Sequence, residues 1–187
     1  MTEIFSWFAV NFDLPILDWI AENLQCSFLD TVMPLITVLG NGGIFWIAVS
    51  VVLLLIPKTR RAGLAMGMAL LMGLVVCNLT LKPLCARIRP YDFYGESMKL
   101  LVATPHDFSF PSGHTIASFE AATALTIFNK KLGIPALILA SLIAFSRLYL
   151  YVHYPTDVIV SIGLGIGFAF LSAWLVKKIP AKTKFFQ

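Results

Sequence analysis

The sequence predicts an all-α fold, a polytopic bundle of transmembrane helices, and three observations carry that expectation. Of 187 residues, 58% are hydrophobic and 13% charged, with a mean hydropathy of +0.84. Soluble domains are about half apolar and about a quarter charged. The apolar residues gather into runs of the length a helix needs to cross a bilayer, about 20 residues. The basic residues stand between those runs. Nine of the fourteen fall in three acid-free clusters: Lys58, Arg60 and Arg61; Lys130 and Lys131; Lys177, Lys178, Lys182 and Lys184.

About five spans follow, after an N-terminal interfacial helical segment. Residues 1–40 hold no Lys or Arg. Within them "FDLPILDWIAENLQ" puts Ile16, Leu17, Ile20 and Leu24 on one helical face and Asp18 and Glu22 on another. That pattern predicts a helix in the interface, with Trp7 and Trp19 at headgroup depth. A weakly hydrophobic further span over Phe28–Leu39 is the alternative. The start, "MTEIFSWF", carries an acid where a signal peptide would be basic, so it is read as mature. "LGNGG" at Leu39–Gly43 must break any preceding helix. The five predicted spans are Gly42–Pro57, Ala62–Leu81, Ser112–Asn129, Gly133–Val152 and Thr156–Val176. Alternating them puts all three basic clusters on one side, which the positive-inside rule makes cytoplasmic. The loops Lys82–Phe110 and Val152–Thr156 then lie outside, as do residues 1–40. The expected location is the cell membrane, with the lipid bilayer as partner.

The same composition excludes other classes. A nucleic-acid partner would need a solvated basic face, and membrane spans separate the clusters instead. Cys26, Cys77 and Cys85 are odd in number and lack metal-ligand spacing, so neither a disulfide framework nor a zinc site is expected.

Orientation makes five cations conspicuous. Lys82, Arg87, Arg89, Lys99 and Arg147 lie on the outer side, where basic residues are disfavoured, together with His106, His114 and His153. In "KPLCARIRP" (Lys82–Pro90), prolines stop the helix and stiffen the chain, so that Lys82 and Arg89 can face one anion. In "PSGH" (Pro111–His114), Ser112 is a favoured N-cap and Gly113 permits close backbone approach. The outward-pointing N–H groups of the third span would suit a phosphate. In "SRLYLYVHYPTD" (Ser146–Asp157), the spacing of His153 and Asp157 lets a carboxylate accept Nδ1–H, leaving Nε2 free as a nucleophile. Taken singly, each stretch also has a plain structural reading. Lys82 and Arg147 can snorkel from helix ends, Ser112 and Asp157 can simply cap helices, and His114 can be an interfacial residue. Glu120, on the third span, is expected to face the bundle interior.

Together, Lys82-x6-Arg89-Pro90, Pro111-Ser112-Gly113-His114 and Ser146-Arg147-x5-His153-x3-Asp157 resemble the three signature motifs of the type 2 phosphatidic acid phosphatase (PAP2) superfamily. Eleven fixed residues match, in order. The resemblance implies a single membrane domain over 1–187, with the catalytic motifs in 82–157, and a small bacterial form similar to undecaprenyl-diphosphate phosphatases. It implies that Lys82, Arg89, Arg147, Ser112 and Gly113 bind the substrate phosphate. His153 would be the nucleophile, Asp157 its orienting partner and His114 the general acid, with no metal or cofactor required. The implied substrate is a membrane lipid phosphate or diphosphate, most favourably undecaprenyl diphosphate. Phosphatidylglycerophosphate and phosphatidate are alternatives. The superfamily's soluble haloperoxidases are disfavoured by composition. A non-catalytic lipid-binding or lipid-translocating protein is the reading from another class, although the histidines and aspartate it could dispense with are all present.

Overall fold

The structure, a computed structural model, describes residues 3–93 and 100–180, which form helices and loops without a strand among them. Near the N-terminus, α1 (Glu3–Phe8) and α2 (Leu14–Leu24) join through a wider π-helical turn, Ala9–Asp13, into one continuous stretch. Its apolar face matches the sequence pattern. Leu17 and Ile20 are buried, Ile16 and Leu24 pack beside them, and Trp7 and Trp19 project outward. By length and composition this 22-residue stretch is also sufficient to cross a membrane.

Helix α3 (Ser27–Val38) covers the weakly hydrophobic segment. The expected break then follows: Gly42 and Gly43 adopt left-handed φ values of +57° and +67° in a short 3-10 turn, a conformation glycine accepts without steric cost. Beyond it α4 (Ile44–Leu55) departs at 41°, the bend of a broken span or a re-entrant loop.

Helix α5 (Arg60–Gly73) passes into a second π-helical stretch, Leu74–Leu81, and then into α6 (Lys82–Cys85) and, after a break, α7 (Pro90–Phe93). The bundle is completed by α8 (Gly113–Phe128), α9 (Lys130–Tyr149) and α10 (Pro155–Lys178). The predicted third span is the central element. At 16 residues, α8 is only about 24 Å long, and it packs against α5, α9 and α10. Ala121, Ala122 and Ala124 are fully buried there, because small side chains let neighbouring backbones approach in a membrane. Sheathed by protein, α8 need not match the hydrocarbon thickness by itself.

Ile44, Leu55, Ile159 and Phe170 are exposed on the outside of the bundle, as expected of side chains solvated by lipid. The basic clusters meet at one end. Arg61 Nη2 donates to the Ile179 carbonyl at 2.9 Å, and the Lys177 ammonium lies 5.6 Å from the Phe128 ring centroid. Lys182 and Lys184 lie outside the described residues. The three motifs converge at the other end, beneath α2 and the adjoining ends of α9 and α10.

Candidate active site

A cavity of about 1210 Å³ opens at the motif end. Lys82, Arg89, His114, Arg147 and His153 line one part of it. Leucines, isoleucines and valines from α3, α4 and α5 line the rest, including Leu35, Ile47, Val51 and Leu71. A charged pocket thus continues into an apolar trough, the shape required by an amphiphile with an anionic head.

Each cation is delivered by a particular local structure. The π-helical stretch Leu74–Leu81 ends immediately before Lys82, whose side chain is 11% exposed. π-Helical turns displace the side chains that follow them and recur at functional sites. Ala86 takes a left-handed conformation (φ +44°), turning the chain away from α6. Arg89 is then fixed by donating through Nη1 to the Val152 carbonyl at 2.6 Å and through Nε to the Asp107 carbonyl at 2.7 Å. Arg147, in the last turn of α9, donates to Thr37 Oγ1 at 2.6 Å.

His153 is buried between α9 and α10. Its Nε2 lies 3.2 Å from Arg89 Nη1, and its Nδ1 lies 3.5 Å from Asp157 Oδ2 and from Ser109 Oγ. Burial, reinforced by Arg89, Arg147 and Lys82, pushes the imidazole pKa well below its usual value. Burial therefore favours the neutral ring. With the proton on Nδ1, toward the carboxylate, the Nε2 lone pair lies beside the guanidinium.

Asp157 also serves as a helix cap, accepting from the Tyr154 backbone N–H at 3.1 Å. It further accepts from Ser109 Oγ and from Arg87 Nη1, each at 2.5 Å. Across the cavity, His114 Nε2 lies 2.8 Å from Asn41 Oδ1 in the glycine-rich break. Gly113 lines the cavity. Ser112 occupies the N-cap position of α8, but its backbone N–H donates to Ser161 Oγ at 2.8 Å and its fully buried hydroxyl accepts from Thr115 at 3.0 Å. It makes no side-chain cap.

Arg87, one of the five conspicuous cations, does not line the cavity: its side chain is 0% exposed and lies behind Asp157. It bridges Asp157 to Asp13, its Nη2 reaching Asp13 Oδ2 at 2.6 Å, while its guanidinium stacks 3.9 Å from the Tyr154 ring centroid. Asp13 also accepts from the Thr156 N–H and hydroxyl at 2.8 Å each. The π turn Ala9–Asp13 thereby ties the N-terminal segment to the back of the site. Of the other basic residues that the sequence places outside, His106 is exposed and Lys99 lies outside the described residues.

Asp13, Asp107, Ser109 and Asn41 are contacts that the motifs do not announce. Asp107 bonds through Oδ1 to Arg89 Nη2 at 2.6 Å and through Oδ2 to Lys82 Nζ. Partial burial acts to raise the pKa of its carboxyl, but the bonds and charges of Lys82 and Arg89 outweigh this and hold it well below the usual carboxylate range. Glu120 is buried as expected, one oxygen without a partner among the described residues, and it lines the trough.

Comparison with known proteins gives a consistent result. The PAP2 superfamily pattern matches residues 61–181. An undecaprenyl-diphosphatase of Sulfolobus acidocaldarius is 32% identical over 92% of this chain and 82% of its own length. One from Bacillus subtilis is 30% identical over 78% of this chain and 74% of its own. Among solved structures, LpxE of Aquifex aeolicus matches with a TM-score of 0.74 and 27% identity, over 86% of this chain and 93% of that one. A PAP2-type phosphatidylglycerolphosphate phosphatase from Bacillus subtilis matches at 0.71 and 26%, over 90% and 86%.

Proposed function

The chain belongs to the PAP2 superfamily and is a multi-pass membrane phosphatase, and we propose that it converts undecaprenyl diphosphate to undecaprenyl phosphate on the outer face of the cytoplasmic membrane. The observation that carries this reading is the position of His153 Nε2, beside a guanidinium and at the charged end of an apolar trough.

In the proposed reaction Lys82, Arg89 and Arg147 receive the terminal phosphoryl oxygens, with the Gly113 N–H at the start of α8 as a further donor, and Ser112 holds that helix start in place. The Nε2 lone pair of His153 attacks phosphorus. A P–N bond forms as the P–O bond to the lipid breaks, and His114 supplies the proton taken up by the leaving oxygen. Water then attacks the phosphohistidine, His114 takes its proton, the P–N bond breaks and phosphate departs. Asp157 holds the ring tautomer and stabilises the charge that develops on the imidazole. Three side-chain cations supply the charge neutralisation that phosphoryl transfer demands.

The outward orientation is supported by the gathering of basic clusters at the end opposite the site. The diphosphate substrate is supported by relatives bearing that name. A second reading, phosphatidylglycerophosphate hydrolysis, is favoured by the fold shared with a phosphatase of that specificity.

The deciding experiment measures phosphate release by purified protein from undecaprenyl diphosphate, phosphatidylglycerophosphate and phosphatidate. The prenyl diphosphate is expected to show the highest kcat/KM. An acid-labile phosphoryl label should be trapped in the wild type and lost in His153→Ala. A tenfold preference for either glycerolipid, about 1.4 kcal/mol, replaces the substrate assignment, and undiminished label in His153→Ala removes the mechanism. Orientation is read separately in a variant lacking native cysteines: cysteine at His106 should react with an impermeant maleimide in intact cells, and cysteine at Lys131 should not.

A further inference from the structure

Two of the three cations proposed to receive phosphate already hold an anion. Asp107 places Oδ1 on Arg89 Nη2 at 2.6 Å and Oδ2 on Lys82 Nζ, and its side chain is 55% exposed. Its partners are not: Lys82 and Arg89 are 11% and 4% exposed. The cations are therefore built into the wall and the carboxylate approaches them from the open side, in the same cavity as His153. Arg147 stands in that wall without a hydrogen bond to Asp107 among the described residues, its buried Nε unpartnered.

We propose that Asp107 is a specificity-determining residue. Its carboxylate occupies the phosphate cradle until a ligand carrying more than one negative charge displaces it, so terminal phosphates and diphosphates enter and phosphodiester lipids do not. The proposal rests on the phosphatase reading of the site and adds a reason for its selectivity.

The physical argument is a competition. Every phosphodiester headgroup in the surrounding bilayer carries one negative phosphate charge and meets the cavity at high local concentration. Exchanging one monoanion for another gains little Coulomb energy, and a tethered carboxylate has the advantage of an effective concentration on the order of millimolar. A terminal phosphate brings a charge of about −1.5 to −2 at pH 7. It can satisfy Lys82 and Arg89 and still engage Arg147, which Asp107 leaves uncommitted. Discrimination then follows from charge number, before the length or type of the lipid tail is felt.

The test uses full-length protein in detergent and reads binding first, without turnover. Inorganic phosphate should bind about tenfold more tightly to Asp107→Asn than to the wild type, a modest value for a close charge competing at a desolvated site. Asp107→Glu should stay near the wild type. In detergent micelles with or without added phosphatidylglycerol, the diester lipid should inhibit phosphate binding to Asp107→Asn about tenfold more strongly than binding to the wild type.

If Asp107→Asn binds phosphate equally or more weakly, the carboxylate only positions Lys82 and Arg89, and the proposal is overturned. Equal inhibition of both proteins by phosphatidylglycerol overturns it as well. Should Asp107→Asn fail to fold, Asp107→Ser is held to the same two comparisons. Absence of hydrolysis of every lipid phosphate by the wild type would defeat the phosphatase reading, while the phosphate affinities would still decide the role of Asp107.

Discussion

His153 stands between two ion-pair systems built from the same chemistry in opposite surroundings. On the cavity side, the half-exposed carboxylate of Asp107 engages Lys82 and Arg89. On the far side, Arg87 bridges Asp13 and Asp157, and all three side chains are 0% exposed. The difference teaches what burial does to a salt bridge. An exposed partner can trade its bond for water or for a ligand at small cost. A buried pair has no such alternative, so removing one member strands the other. The front is suited to exchange and the back to holding Asp157, and through it His153, in place.

The largest effect should therefore come from the back. Arg87→Met leaves Asp13 and Asp157 buried without their cation and should cost about 3–5 kcal/mol of stability. Asp107→Asn removes a half-exposed partner and leaves Lys82 and Arg89 facing a cavity open to water, so it should cost less, about 1–2 kcal/mol. Thermal unfolding in a fixed detergent measures both. Equal losses would erase the distinction, and an Arg87→Met protein as stable as the wild type would show that the buried bridge is dispensable.

That contrast also marks how much was legible in the sequence. The helices could be read because a membrane imposes long apolar runs, and the predicted spans fall within a few residues of α4, of α5 with its π-helical continuation to Leu81, and of α8, α9 and α10. The glycine-rich break was equally plain, since left-handed backbone is chemically conspicuous. The front of the site was legible because its cations and histidines lie at fixed spacings on helix ends. Asp107 was not, for a lone acid in a loop has no periodic partner, and Lys82 is 25 residues away. The back is not legible. Nothing in the sequence pairs Arg87 with its two acids, which lie 74 and 70 residues distant, and only the π turn at Ala9–Asp13 brings the first of them inward. Ser112 shows a subtler gap, since an N-cap residue can sit at a helix start and direct its hydroxyl bonding elsewhere.

A smaller effect should separate the two sides by pH. The pKa of His153 is depressed from a usual value near 6.5 in the folded protein, so between those two values the unfolded chain binds the extra proton. Its contribution to stability is complete above pH 6.5 and declines as pH falls below it, with a slope of at most about 1.4 kcal/mol per pH unit. The Asp107 carboxyl is shifted below its usual 3.8, so its contribution persists above that value and is lost only in stronger acid. Between pH 6.5 and 4.5 the melting temperature should therefore fall more steeply in the wild type than in His153→Asn, whereas Asp107→Asn should follow the wild type. A wild-type curve parallel to that of His153→Asn would mean that the imidazole is not held neutral.

The smallest expected effect lies at the far wall of the front side. His114 donates from Nε2 to Asn41 Oδ1 at 2.8 Å, and its ring packs so closely on the chain that a Cβ added at Gly40 would meet its Cδ2 at 2.5 Å. The break between α3 and α4 thus orients the proposed general acid, which gives those left-handed glycines a reason beyond ending a helix. Asn41→Ala removes one neutral acceptor at a site that water can reach, a change of about 1 kcal/mol. Because the group acts on the leaving oxygen and not on the bound phosphate, the loss should appear in kcat, by roughly three- to tenfold, with KM little changed. Asn41→Asp, which keeps an acceptor at the same position, should retain more of the rate than Asn41→Ala. A rise in KM at constant kcat would instead make Asn41 part of the binding wall, and the front side would then contain no element dedicated to placing the proton.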